Sequence, residues 1–215
     1  MTAPERSVVT AIEPQVKRPD RVSIFVDGEF VLGVHVEVAA AVGLRVGQTV
    51  DVQQLQALAL AEEKRRARDS ALKLLGYRAR SRTELRQRLQ RQGYEPELVE
   101  ETLELLARSG YIDDAEFSRA WVRARTGPRR PLGARRIAAE LRQKGVEQDL
   151  IREALEPLDS ETELELALAV GRRKVEQMHG EDPRVVRRKV GAALMRRGFG
   201  WEVCARVLDI LLAAE

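Results

Sequence analysis

Cysteine and aromatic residues are scarce in this chain of 215 residues. It has one cysteine, Cys204, and phenylalanine, tryptophan and tyrosine together make up 4% of it. A single thiol excludes a disulfide within the chain and, at an apolar position, fits a small buried side chain in a reducing compartment. Few aromatics beside a charged fraction of 33% favour helices with solvated faces over a sheet sandwich.

Long apolar runs are also missing. No stretch approaches the length of a membrane span, and the N-terminal residues lack the apolar core of a secretory signal. We therefore expect a soluble, cytoplasmic protein with no membrane partner. Lysine accounts for only six of the 37 basic residues, and arginine for the others. This excess reflects either a GC-rich coding bias or guanidinium groups that recognise phosphate or carboxylate.

Residues suited to catalysis or metal binding form no pattern. His35 lies beside a predicted hairpin and His179 at a predicted helix end, and neither has a spaced set of ligands nearby. The glycines at 43 and 47 lead into no Lys-Ser or Lys-Thr, so they form no phosphate loop. Asp113-Asp114 precedes a helix start, where capping explains the carboxylates more simply than a metal site. We expect no enzyme activity, no cofactor and no metal.

A repeated pattern organises most of the chain. Each copy has a leucine, three variable residues, a glycine and an apolar residue, with further apolar residues five, six and ten positions beyond the glycine. The glycines are 52 and 53 residues apart. Three matches in phase indicate tandem modules that pack in series. The copies begin Leu89-x-x-x-Gly93-Tyr94, Leu141-x-x-x-Gly145-Val146 and Leu194-x-x-x-Gly198-Phe199.

Helix boundaries are clearest between residues 80 and 126. Ser81 and Glu84 have the spacing of a capping box that starts a helix, and Gly93 suits the left-handed residue that ends it. Asp113-Asp114 predicts the cap of a third helix in this stretch. Further along, Ser160-x-x-Glu163 predicts another capping box, at the start of a long helix.

The N-terminal part has a different pattern. Residues 1–19 contain three prolines and no clear period, which predicts a flexible tail. Residues 22–26 alternate as a strand, Asp27-Gly28 signals a two-residue hairpin turn, and residues 29–34 return as a second strand. A short helix is predicted over residues 36–42, and helix from residue 53 onward.

These patterns predict a mainly α protein. Its tandem three-helix repeats form an elongated or curved array, since each unit touches mainly its neighbours, with a small β-hairpin at the N-terminus. The predicted divisions are a flexible tail at 1–19, the hairpin and short helix at 20–62, and three-helix repeats at 63–110, 111–158 and 159–215.

Arginines crowd near the second helix of each predicted repeat. A charge run is usually a solvated face, but three spaced groups would also suit a regular polyanion or an acidic groove on a protein. The candidate contact residues are Arg80, Arg82, Arg86, Arg123, Arg125, Arg129, Arg130, Arg135, Arg136, Arg187 and Arg188.

Sequence-specific binding of DNA is less well supported. A helix-turn-helix places a short turn before its recognition helix, and the turn at Gly93 has that form. The helix after it, however, carries four glutamates, which fit poorly in a major groove: Glu97, Glu100, Glu101 and Glu104. A DNA-binding regulator with helix-turn-helix-like modules is therefore the alternative hypothesis, and a purely structural helical scaffold is a third.

Two stretches resemble the RecX family. The first runs Arg80-Ser81-Arg82-Thr83-Glu84-Leu85 and continues through Leu89 and Gly93-Tyr94 to Gly110-Tyr111-Ile112-Asp113-Asp114, with Phe117, Ala120 and Trp121. The second comprises Gly133, Arg136-Ile137, Glu140-Leu141 and Lys144-Gly145-Val146. The resemblance spans residues 65–156 and extends more loosely to the hairpin and the third repeat.

This resemblance implies a bacterial regulatory protein of recombination, DNA repair and the SOS response. RecX proteins bind the RecA recombinase and its nucleoprotein filament, where they are thought to lie in the helical groove, and mostly inhibit ATP hydrolysis, strand exchange and coprotease activity. The expected partner is the RecA filament. A second expected partner is single- or double-stranded DNA, bound without sequence preference. We further expect a monomer.

Overall fold

A computed structural model describes residues 7–212 of the protein. They form an N-terminal sheet module followed by three modules of three helices each, which confirms the mainly helical class and the tandem repeats. Within the described residues, most of the buried apolar side chains fall into four clusters, one in each module. Each module therefore has a core of its own, as expected for units that pack in series.

The N-terminal module is an antiparallel sheet of four strands. They are β1 (Ser7–Gln15), β2 (Arg18–Val26), β3 (Glu29–His35) and β4 (Thr49–Val50). Their order in the sheet is β3-β2-β1-β4. Asp27 and Gly28 both have positive φ, and Val26 pairs with Glu29, so the predicted two-residue turn is confirmed. The predicted hairpin is thus one part of a larger sheet.

The predicted flexible tail is wrong for residues 7–19. Residues 7–15 are β1, an inner strand that pairs with both β2 and β4, and residues 18–19 begin β2. Val9 in β1 is fully buried. Two of the three prolines that suggested a tail lie near strand ends, Pro14 beside a register shift and Pro19 near the start of β2, where a lost amide donor is tolerated. Residues 1–6 lie outside the described part of the chain.

Two helices connect the sheet to the repeats. The short helix α1 (Val36–Ala41) matches the predicted position, and α2 (Val52–Tyr77) begins at a capping box formed by Asp51 and Gln54. Leu58, in the first half of α2, packs in the core of the sheet module, whereas Ala71, in its second half, packs in the first repeat. This one helix of 26 residues therefore belongs to two modules.

Eight further helices complete the repeats. The second half of α2 joins α3 (Arg82–Gln90) and α4 (Pro96–Arg108) in the first repeat. The second repeat contains α5 (Asp114–Arg125), α6 (Ala134–Gln143) and α7 (Gln148–Leu155). The third repeat contains α8 (Ser160–Glu176), α9 (Pro183–Arg196) and α10 (Trp201–Leu212).

The second helix of every repeat ends at its predicted glycine. Gly93, Gly145 and Gly198 all have positive φ. The amide of the next, apolar residue then donates to the carbonyl of the repeat leucine, which satisfies an otherwise unpaired acceptor at the helix end. The donor–acceptor distances are 3.4 Å from Tyr94 to Leu89, 3.2 Å from Val146 to Leu141 and 3.3 Å from Phe199 to Leu194.

One predicted capping box is confirmed and the other is wrong. Ser81 and Glu84 form both bonds of the box at the start of α3. At the start of α8, by contrast, Asp159 is the cap, and its carboxylate accepts from the Thr162 amide at 2.8 Å. Glu163 instead accepts from the amide of Ala134 in the second repeat at 2.9 Å. This carboxylate therefore joins two repeats, a role that local spacing does not reveal.

The repeats dock on one another through the start of α3 and the glycine turn after α6. Ser81 Oγ donates to the Lys144 carbonyl and Thr83 Oγ1 to the Gly145 carbonyl, at 2.5 and 3.0 Å. The Lys144 ammonium also lies 3.0 Å from Glu84 Oε1. These contacts tie the first repeat to the second at the turn of the repeated motif.

The junction between the second and third repeats uses the same two features, the start of a second helix and a glycine turn. The amide of Gly133, at the start of α6, donates to the Arg197 carbonyl at 2.9 Å. A Cβ on Gly133 would lie 2.5 Å from the Gly198 carbonyl carbon, so the close approach requires glycine. The first and second repeats thus each place the start of their second helix against the glycine turn of the next repeat.

Serial docking leaves the molecule extended. Its accessible surface is 13901 Å². A compact monomer of 24.2 kDa would expose about 10,000 Å². This excess agrees with the predicted elongated array.

Candidate functional site

Six of the eleven candidate arginines are held by carboxylates. Glu100 on α4 binds two of them, and their hydrogen bonds, led by that from Arg86, lower its pKa to about 2. Such pairing reduces the charge available to an outside ligand. The pairs are Arg82 and Arg86 with Glu100, Arg123 with Glu116, Arg125 and Arg136 with Glu140, and Arg187 with Asp209.

Two of the other candidates lie apart from one another. Arg80 Nε donates to the Leu74 carbonyl at 3.1 Å and so joins α2 to the start of α3. Arg135 is exposed on α6, and its guanidinium lies beside Gly200 of the third repeat.

Arg125 also belongs to a cluster that packs α5 against α6 within the second repeat. Its guanidinium lies 4.0 Å from the centre of the Trp121 ring, and the Lys144 ammonium lies 4.3 Å from that ring. The Trp121 indole donates to Glu140 at 3.0 Å. These cation–π contacts fix the side chains in place, so we assign the cluster to the packing of the second repeat.

Arg129 and Arg130 line a cleft between the second and third repeats. This inter-repeat cleft has a volume of about 280 Å³ and is also lined by Arg173, Lys174 and Arg197. Two of its guanidinium groups are oriented by the connector between α5 and α6. Arg173 Nη1 donates to the Arg129 carbonyl at 2.8 Å, and Arg197 Nη1 donates to the Pro131 carbonyl at 3.3 Å.

A second cleft continues from the first. This α9 cleft has a volume of about 370 Å³ and shares Lys174 with the inter-repeat cleft. Its other basic residues are Arg188, Lys189 and Arg196. We call the two clefts together the basic track.

Charge on the basic track is largely uncompensated. Among residues 7–212, a carboxylate lies within 4.0 Å of only one of its eight cationic side chains, where Glu181 contacts Lys189 at 3.2 Å. Seven neighbouring cations without acidic partners favour a ligand with several negative charges. The basic track is therefore the strongest candidate for a functional site.

The basic track includes three of the predicted residues, Arg129, Arg130 and Arg188, and five that were not selected. Arg173 and Lys174 are in the last turn of α8, more than forty positions from Arg129. Their run of basic residues is visible in the sequence, but only the packing of α8 on the preceding connector shows which arginines it joins. The remaining members are Lys189, Arg196 and Arg197.

Other kinds of site find no support in the described residues. Over residues 7–212, no three histidine, cysteine, aspartate or glutamate side chains come together as a metal site would require. Every helix between residues 7 and 212 is too short or too polar to span a bilayer. Cys204 is buried in the third repeat, as predicted, and burial raises the pKa of its thiol.

The fold is that of a tandem helical-repeat protein, and a largely uncompensated cationic track lies on its second and third repeats. Four family models match the chain in order. The RecX N-terminal domain matches residues 7–51, and the first, second and third three-helix domains of RecX match residues 67–106, 113–155 and 161–208.

Similarity to individual RecX proteins, in sequence and in structure, supports the same family. A regulatory protein RecX from Mycobacterium avium is 40% identical over 151 residues, which cover 69% of this chain and 86% of the relative. The relative of the same name from Clostridioides difficile is 26% identical and covers 95% of this chain and 96% of its own. A crystal structure of regulatory protein RecX has a TM-score of 0.76 at 28% identity and covers 94% of this chain and 99% of its own. The chain belongs to the RecX family of regulatory proteins.

Proposed function

We propose that this protein binds the RecA recombinase and its nucleoprotein filament and inhibits ATP hydrolysis, strand exchange and coprotease activity. The observation that carries this proposal is the match of all four modules, in order, to the domains of RecX. RecA regulation is what the family resemblance implies, and the proposal transfers it to this chain.

The shape and charge of the molecule support a filament as the target. An array of modules that dock end to end presents a long surface that is suited to several copies of a repeating partner. The basic track lies on one part of that surface, at the second and third repeats. In the proposed mechanism it contacts DNA phosphates or acidic side chains in the filament groove while the array bridges neighbouring protomers.

The direct test is single-strand-dependent ATP hydrolysis by the RecA of the same organism, with this protein titrated in. Inhibition well below one protein per RecA protomer would indicate end-capping or disassembly of the filament, whereas inhibition only near equal amounts would indicate coating of its groove. No inhibition by a folded sample at any ratio would refute the proposal. Preference for one duplex sequence over a scrambled one would instead support a DNA-binding regulator.

A matched pair of variants tests the basic track. The first reverses the charges of Arg129, Arg130 and Arg188, which are exposed and have no carboxylate within 4.0 Å among the described residues. The control reverses three exposed arginines of the first repeat that also lack such a partner, Arg66, Arg88 and Arg91. We expect the first variant alone to require more protein for half-inhibition. Equal effects of the two variants would mean that net charge, not the basic track, decides binding.

A further inference from the structure

An exposed tryptophan lies in a groove on the third repeat. Trp201, in the first turn of α10, is 67% exposed, although tryptophan is usually well covered in a folded protein. Met195 of α9, beside it in the groove, is 51% exposed. Gly191 and Ala192 of α9 also line the groove, where their small size leaves space beside the ring. This Trp201 groove has a volume of about 480 Å³.

The Trp201 groove is continuous with the basic track. Arg188 and Ala192 line both the groove and the α9 cleft, and Lys174 lines both the α9 cleft and the inter-repeat cleft. A chain of anionic groups that follows the basic track therefore arrives beside an open aromatic ring.

Charge at the groove itself has the same sign. Arg184, Arg187 and Arg188 line it on one face of α9, since residues three and four apart in a helix are neighbours. Arg187 is held by Asp209 at 2.8 Å, whereas no carboxylate of residues 7–212 lies within 4.0 Å of Arg184 or Arg188. The occupant must therefore combine negative charges with a flat or apolar group.

A single-stranded nucleic acid has both features in one repeating unit. Its phosphates suit a basic path, and its unpaired bases stack on exposed aromatic side chains. A duplex offers the same phosphates but keeps its bases within the stack. An acidic amphipathic helix would suit the groove alone, but it leaves the continuous run of cations from Lys174 to Arg129 and Arg130 without a ligand.

We infer that the third repeat binds single-stranded DNA, with backbone phosphates on the basic track and a base stacked on Trp201. The choice of DNA rests on the proposed function, which places the protein at a recombinase filament. Trp201 then gives the protein its preference for single strands over duplex, and the arginines supply affinity that falls with salt.

The test is a titration of labelled oligo-thymidine followed by fluorescence anisotropy, with a strand of about 20 nucleotides to exceed the span of a typical single-strand site. Trp201→Ala should weaken binding about 5- to 150-fold, the range for loss of one stacked base. Trp201→Phe should remain within a few-fold of the wild type because it keeps an aromatic face. Circular dichroism should show all variants folded, since the Trp201 side chain is largely exposed.

Further measurements separate the phosphate contacts from base stacking and test a duplex, an RNA strand and a peptide as alternative ligands. Charge reversal at Arg129, Arg130 and Arg188 should lower the slope of log affinity against log salt by about 2, or 0.7 for each lost phosphate contact. Unchanged affinity in Trp201→Ala, or equal binding of a duplex of the same length, would overturn the inference. Tighter binding of oligo-uridine would overturn the assignment to DNA. Competition by an acidic amphipathic peptide at lower concentration than oligo-thymidine would identify the groove as a peptide site.

Different results would refute the single-strand site on the third repeat and the proposed regulation of RecA. If the wild type inhibits RecA but Trp201→Ala binds oligo-thymidine normally, the stacking site is wrong and the regulator stands. If binding to oligo-thymidine depends on Trp201 while RecA activity is unaffected, the single-strand site stands and the proposed function is wrong.

Discussion

At the scale of single residues, the repeat glycines have two roles that the structure separates. Gly93 ends α3 with positive φ, and a Cβ there would meet nothing within 4 Å. Gly198 has the same conformation, but a Cβ there would come within 3.0 Å of the backbone of Arg136 in the preceding repeat. The first glycine only ends a helix, whereas the second also permits two repeats to approach.

This difference predicts unequal effects of the same substitution. Gly93→Ala should lose about 1–2 kcal/mol of unfolding free energy from backbone strain alone. Gly198→Ala should lose about 1–3 kcal/mol more, because the added methyl group forces the second and third repeats apart. Urea denaturation followed by circular dichroism measures both, and equal losses would show that the approach at Gly198 is not tight.

Glu84 is the residue whose charge most clearly joins two repeats. Its carboxylate lies 2.9 Å from the Arg78 guanidinium and 3.0 Å from the Lys144 ammonium of the second repeat. Burial raises the pKa of this carboxyl, but hydrogen bonds from Arg78 and Lys144 outweigh burial and lower it to about 2 from an ordinary value of 4.5. The ionised form therefore stabilises the folded protein.

This lowered pKa predicts how stability depends on pH. The contribution of Glu84 should be complete above its unfolded pKa near 4.5 and should disappear as pH falls toward about 2. Glu84→Gln should therefore cost about 1–2 kcal/mol at pH 7, after allowance for solvent screening, and much less near pH 2. Glu153→Gln, on an exposed residue of α7, is the control. Thermal unfolding at both pH values measures the stability that each variant loses. Equal losses for Glu84→Gln and Glu153→Gln at pH 7 would contradict the assignment.

At the scale of elements, α2 links the sheet module to the repeats through a buried charge. Glu62, in this helix, is 5% exposed, and its carboxylate accepts from the His35 amide at 2.8 Å and from the Arg21 guanidinium. Arg21 also donates to the Gly33 carbonyl at 2.6 Å. One carboxylate thus attaches β2 and the end of β3 to the helix.

Loss of that carboxylate should loosen the sheet from α2. We expect Glu62→Gln to cost about 3–5 kcal/mol in the N-terminal module, because it leaves the Arg21 charge largely buried without its partner. Hydrogen exchange should accelerate in β2 and β3 while the third repeat, with its separate core, keeps its protection. Glu63→Gln on the next residue is the matched control. Uniform acceleration across the chain would contradict the division into separate cores.

At the scale of the whole molecule, the array should be extended in solution. A compact domain of 215 residues has a radius of gyration of about 17 Å. Four small cores in series and an accessible surface of 13901 Å² predict a larger value. Small-angle X-ray scattering measures it directly, and a value near 17 Å would mean that the modules fold back on one another.

The local features of this protein were determined by the sequence alone. Capping at Ser81, the glycine stops at 93, 145 and 198, and the Asp27-Gly28 turn all depend on residues within a few positions of one another. Backbone conformation and short-range hydrogen bonds decide such features, so their residue types and spacing are sufficient. The family resemblance followed from the same local motifs.

The tertiary structure alone decided what depends on distant partners. β1 was missed because its partners are residues of β2 and β4, and Glu163 was misassigned because its amide partner belongs to another repeat. Likewise, the sequence showed where arginines are dense but not which have a carboxylate beside them. Glu100 neutralises Arg82 and Arg86. Around Arg129, by contrast, folding brings further cations from α8 and no carboxylate of the described residues within 4.0 Å. The basic track follows from that difference, since net local charge depends on neighbours in space.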